Sequence, residues 1–132
     1  MEKDICYRIM NYQKLANHYM QLAYLMRNKH QFKTSLILCN LVLTSTARAL
    51  YIYENKSNPY SQDIIFDDFL LLICKNLNID PEIADLVHKI DLLCYSEEDF
   101  TLDRKIADML IEKTADILNV VGWRLMNLIK ST

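Results

Sequence analysis

Glycine occurs once in this chain, at Gly122, and proline twice, at Pro59 and Pro81. Tight turns draw on both residues, so an all-β chain, which needs many of them, is not expected. A phosphate-cradling loop of the Walker type needs several glycines for close backbone approach, and it is excluded as well. Histidine is confined to His18, His30 and His88, and no Glu-x-x-His pair occurs, so the inward-facing ligands of a bundle di-iron site are missing. The cysteines Cys6, Cys39, Cys74 and Cys94 include no Cys-x-x-Cys pair, and a tetrahedral zinc site would have to be gathered from distant positions. No metal and no cofactor is therefore expected.

A strong charge of either sign is also lacking. The formal net charge is −2 and the pI about 5.9, which gives no global reason to expect nucleic acid, because non-specific affinity comes from neutralising phosphates with lysine and arginine. Each cysteine sits in an apolar periodic segment, the pattern of free buried thiols in a reducing compartment. The N-terminus, Met1-Glu2-Lys3-Asp4, is charged and lacks the uninterrupted apolar region of a signal peptide. The clean apolar runs fall short of the ~20 residues a membrane span needs. A cytoplasmic protein with no membrane partner is expected.

What is abundant is hydrophobic residue, 52% of 132 residues, spaced by threes and fours. Over residues 4–28 the stripe runs Ile5, Ile9, Tyr12, Ala16, Tyr19, Ala23 and Met26, with Leu15, Leu22 and Leu25 widening the apolar face. After a polar break at Asn28-Lys29-His30-Gln31, a second stripe carries Phe32, Leu36, Cys39, Leu43, Thr46, Leu50 and Tyr53, and the short connection makes the two helices antiparallel neighbours. The segment 55–62 reads as a loop, because asparagine and serine compete with helical backbone bonds and Pro59 restricts its predecessor.

A shorter helix is expected over 63–76, with Asp67 and Asp68 in its first turns. Asp80-Pro81-Glu82 is a start signal, so a fourth helix begins at Pro81 and runs to about Cys94. Ser96 or Thr101 caps the last helix, which continues to about Lys130 with Ala107, Leu110, Thr114, Ile117, Val121, Leu125 and Leu128 as its stripe. Gly122, beside Trp123, suggests close packing midway along it. The expected fold is all-α: an up-and-down bundle of four to five helices, two long ones at the N-terminus, two shorter, and one long at the C-terminus, forming one domain over residues 1–132.

Candidate chemistry centres on the second helix. In Thr44-Ser45-Thr46-Ala47-Arg48-Ala49-Leu50 small polar residues line a helix that is otherwise apolar, which marks either a polar groove or a close helix crossing, with the crossing favoured because small residues let backbones approach. Tyr51, Tyr53 and Tyr60 beside Arg48 and Lys56 are core-edge aromatics or, alternatively, a stacking surface for a base. The cysteines read as small core hydrophobes, since nothing in the sequence brings Cys39 or Cys94 beside a histidine base.

The order of segments carries a resemblance. A long helix precedes a second that ends in Ala47-Arg48-Ala49-Leu50-Tyr51; a Pro59-containing loop leads to Ile65-Phe66-Asp67-Asp68-Phe69-Leu70; then come Ile90-Asp91-Leu92-Leu93-Cys94-Tyr95 and a long terminal helix. This layout resembles the HEPN superfamily, the "higher eukaryotes and prokaryotes nucleotide-binding" domain, over about residues 10–128. Phe66 stands where that family commonly has a histidine before an aspartate, and Tyr95 matches a tyrosine preceding the final helix. Ribonuclease members carry an arginine followed after four to six residues by a histidine. Arg104 and Arg124 have no histidine downstream and Arg27 is too close to His30, so that mechanism is not expected.

The resemblance implies a non-catalytic module that forms a homodimer or partners a small nucleotidyltransferase, or that binds a nucleotide or RNA, with Arg48, Tyr51, Asp67, Asp91 and Tyr95 as its ligand-binding residues. Two alternatives stand beside it. One is a divergent ribonuclease or toxin working through Arg48, Asp91 and Tyr95, and the other is a helical adaptor recognising another protein's amphipathic helix.

Overall fold

The computed structural model describes residues 3–55, 81–94 and 104–130. They form four α-helices and no strand: α1 (Lys3–Asn28), α2 (Phe32–Asn55), α3 (Pro81–Cys94) and α4 (Arg104–Lys130). The all-α bundle is thus the fold, with the two long N-terminal helices and the long C-terminal one in place. The start at Pro81 and the end at Cys94 fall where the sequence sets them. The helix expected over 63–76 and the capping residues Ser96 and Thr101 lie outside the described residues.

Helix α1 closes without glycine. The Gln31 amide donates to the Met26 carbonyl at 2.8 Å and the His30 amide to Arg27 at 3.0 Å, the paired bonds of a Schellman cap. That cap requires a left-handed residue, and His30 supplies it at φ 58°. A β-carbon is strained there, which is why glycine is the usual occupant. His30→Gly is expected to raise stability by about 0.5 kcal/mol, the relief of strain less the loss of the edge-to-face contact with Phe32. Urea denaturation reads it as a higher midpoint at unchanged slope; an unchanged or lower midpoint would mean that the ring contact outweighs the strain.

Beyond the cap, α2 doubles back along α1. The Ser35 hydroxyl, at the start of α2, donates to the Ala23 carbonyl near the end of α1 at 2.8 Å, while Arg48 far along α2 lies over the Tyr12 ring of α1. Helix α4 is also antiparallel to α1. Arg27 near the end of α1 pairs with Asp108 at 3.4 Å near the start of α4, and Gln13 meets Gly122 further along. Helices α2 and α4 therefore run parallel, the relation of alternate legs in an up-and-down bundle.

Helix α2 is the centre of the fold, packing on α1, α3 and α4. Its buried side chains include Leu36, Cys39, Val42, Leu43, Leu50 and Ile52. With three neighbours it is apolar over most of its circumference, and Phe32–Tyr53 is long and apolar enough to cross a membrane by length and composition. Here that stretch is mostly buried inside the bundle. The small polar residues fit a close crossing: Ser45, Thr46, Ala47 and Ala49 are buried, and the hydroxyls of Thr44 and Thr46 return to the carbonyls of Asn40 and Val42 at 2.8 Å. Hydroxyls satisfied by their own helix need no polar groove.

Two details of α1 and α4 depart from the sequence pattern. Leu15 and Leu25 are exposed and Leu22 is half-buried, so they do not widen the core face of α1; Gln13 and Met20 are buried instead. The buried arc is rotated toward α4, which leaves Leu25, about two and a half turns beyond Ala16, on the far side of the helix. At Gly122 a β-carbon would sit 3.4 Å from the Gln13 side-chain oxygen, an ordinary contact with the end of a flexible side chain. The glycine marks no close backbone approach, and Trp123 points away from the core at 74% exposure.

Candidate functional site

Of the residues expected to bind a ligand, the described structure places two side chains, Arg48 and Tyr51, both on α2. One helical turn separates them, so they share a side of the helix. Arg48 is exposed and its guanidinium carbon lies 6.0 Å from the centroid of the Tyr12 ring on α1, the outer limit of a cation–π contact. Tyr51 is half-buried. Asp91 lies on α3, but its side chain is outside the described set, as are Asp67 and Tyr95. The pair Arg48 and Tyr12 is one that the sequence order alone did not bring together.

A second polar group gathers at the end of α1. Arg27 donates to Asn28 Oδ1, lies over the Tyr24 ring at 5.2 Å and faces Asp108 on α4. Asp108 also reaches Arg104 at 3.9 Å. The Arg27 to Asp108 contact, at 3.4 Å, is an ion pair without hydrogen-bond geometry, and Asp108 Oδ1 has no hydrogen-bond partner. With both groups partly in water, the pair contributes under about 1 kcal/mol. It joins the end of α1 to the start of α4 and offers no uncommitted cation for a ligand.

The third group is inside the core. Cys39 of α2 is fully buried, with Thr114 of α4 and Cys94 of α3 beside it. Burial pushes its thiol up to about 12; Cys94 adds to the rise, and contact with the Thr114 hydroxyl opposes part of it. That hydroxyl itself donates to the Leu110 carbonyl at 2.7 Å. His18, His30 and His88 are all exposed, so no histidine stands ready to take a proton from this thiol. Cys39 is therefore a neutral core side chain, with no thiolate to attack or to bind a metal. Cys6 and Cys94 are half-buried. Among the described residues no three histidine, cysteine, aspartate or glutamate side chains gather as a metal would require.

What the geometry does offer is apolar surface. Beside the core, large hydrophobic side chains stand in water on α1 (Tyr7, Met10, Leu15, Tyr24 and Leu25), on α2 (Ile37 and Leu41), on α3 (Leu92) and on α4, where Met109, Val120, Trp123 and Met126 are exposed and Trp123 is the most exposed of all. The signal was in the sequence as hydrophobic residues off the buried stripe of the last helix, but only the packing tells which of two apolar lines faces inward. Comparison with protein-family models, with curated proteins and with solved structures finds no match to this chain.

Proposed function

We propose that this chain is a non-catalytic binding and interaction module of the cytoplasm, HEPN-like in layout, that forms a homodimer through an apolar helix face and serves as a partner subunit. The observation that carries the reading is the exposed apolar surface of α4, where Val120 and Trp123, one turn apart, are each more than half in water; large apolar patches mark interaction sites. The neutral, buried state of Cys39 and the absence of a histidine beside it leave that thiol no nucleophilic role. Within the HEPN-like reading, a small nucleotidyltransferase is the protein partner, and a nucleotide or RNA the ligand at Arg48 and Tyr51.

Sedimentation velocity over a wide concentration range is the test. Reversible dimers are expected, and a strict monomer at the highest concentration overturns the reading. A second reading, a divergent ribonuclease, draws on the exposed Arg48 guanidinium over Tyr12, since a cation at an aromatic face suits an RNA phosphate and base. The first reading expects labelled RNA to stay intact with the purified chain; cleavage abolished by Arg48→Ala would decide for the second.

A further inference from the structure

Helix α4 has two sides of different character. Inward, it contributes Leu110, Thr114, Ile117, Val121 and Leu125 to the core. Outward, at steps of three, four, four, three and seven that keep them on one side of the helix, stand Met109, Glu112, Asp116, Val120, Trp123 and Lys130, all exposed. Val120 is 52% and Trp123 74% in water, and tryptophan is the residue most often found as the anchor of an interface.

We propose that this outward face of α4 seats a second copy of the same chain, with the two α4 helices antiparallel across a two-fold axis close to Val120. The inference rests on the interaction-module reading and supplies its interface. The order of charges along the face argues for it. Asp116 and Arg124 lie equally far from Val120 on either side, with Glu112 beyond the first and Lys130 beyond the second.

Antiparallel pairing sets Asp116 against Arg124 of the second copy and Glu112 toward its Lys130. Lys113 then faces Asn127, one turn from Arg124 and Lys130 of the second copy, and Lys105 falls past the end of the overlap, so the directly opposed charges are of opposite sign. A parallel pairing would set each charge against its own kind, which is costly. Among the described residues none of Glu112, Asp116, Arg124 and Lys130 has an ion-pair partner within its own chain. A patch that complements itself about one point is what a two-fold dimer requires, whereas an unrelated helix has no reason to follow that order.

The test uses the full chain, followed by sedimentation velocity and light scattering, with circular dichroism to show that each variant keeps its helices. The wild type is expected to reach twice the 15.6 kDa chain mass. Trp123→Ala should weaken the dimer by about 30-fold or more. Asp116→Arg should weaken it by about tenfold, and adding Arg124→Asp to it should restore it. A wild-type dimer that Trp123→Ala leaves unchanged overturns the α4 interface while leaving the module reading to another face. Failure of the charge swap to restore association overturns the antiparallel register. A wild-type monomer at every concentration overturns both the interface and the reading beneath it.

Discussion

Leu43→Ala is expected to cost about 2–5 kcal/mol of folding stability, while Leu25→Ala changes it by no more than about 0.5 kcal/mol. The two leucines look alike in sequence, each inside a strongly apolar helical run. They differ in surroundings: Leu43 is 2% exposed on α2, the helix that the other described helices touch, and Leu25 is 44% exposed on the outer side of α1. Truncating the first removes buried methyl groups and leaves a cavity bounded by several helices, which cannot all move inward together. Truncating the second gives back little that water did not already have. Thermal or urea unfolding of both variants checks the contrast. Equal losses would mean that the outer side of α1 is covered in solution, and the place to look would be an interface.

That contrast also shows how far the sequence could be read. The stripes of α2 and α4 were legible because their buried positions recur by threes and fours and the structure buries them: Leu36, Cys39, Leu43, Thr46 and Leu50 on one, Ala107 to Leu125 on the other. Pro81 was legible as a helix start because a ring that fixes φ and lacks an amide proton suits only the first turn. Leu15 and Leu25 misled because α1 has apolar residues on nearly every side, so periodicity could not choose which arc faces α2 and α4. The cap at His30 was invisible for a different reason: the signal for a left-handed residue is glycine, and here a histidine takes the position under the pull of two backbone hydrogen bonds.

Less of the candidate site was legible. Arg48 was singled out from local composition, and its partner Tyr12 belongs to a helix whose rotation and height relative to α2 are fixed only by the hairpin register. Trp123 was read as part of a close packing contact beside Gly122. The same helical geometry that lets Gly122 meet Gln13 turns its neighbour into water. Composition along a helix tells that an apolar residue is present. Whether it is core or interface depends on the third dimension, which the neighbouring helices supply.

Cys39 gives the second large effect, and it appears in alkali. In the folded chain burial holds its thiol neutral up to about 12, against an ordinary value of 9.0. Above pH 9 the unfolded chain loses this proton and the folded chain keeps it, so the folded state binds more protons and stability must fall as pH rises. The contribution is whole below pH 9 and is lost progressively toward pH 12, at up to about 1.4 kcal/mol per pH unit. Tyrosines and lysines titrate over the same range, so the measurement is a difference between wild type and Cys39→Ala. At neutral pH the variant should be less stable, by about 1–2 kcal/mol for the lost core volume. Between pH 9 and 12 its stability should fall less steeply, until the two curves cross. Parallel curves would mean that the thiol ionises in place, and that water reaches it between α2 and α4.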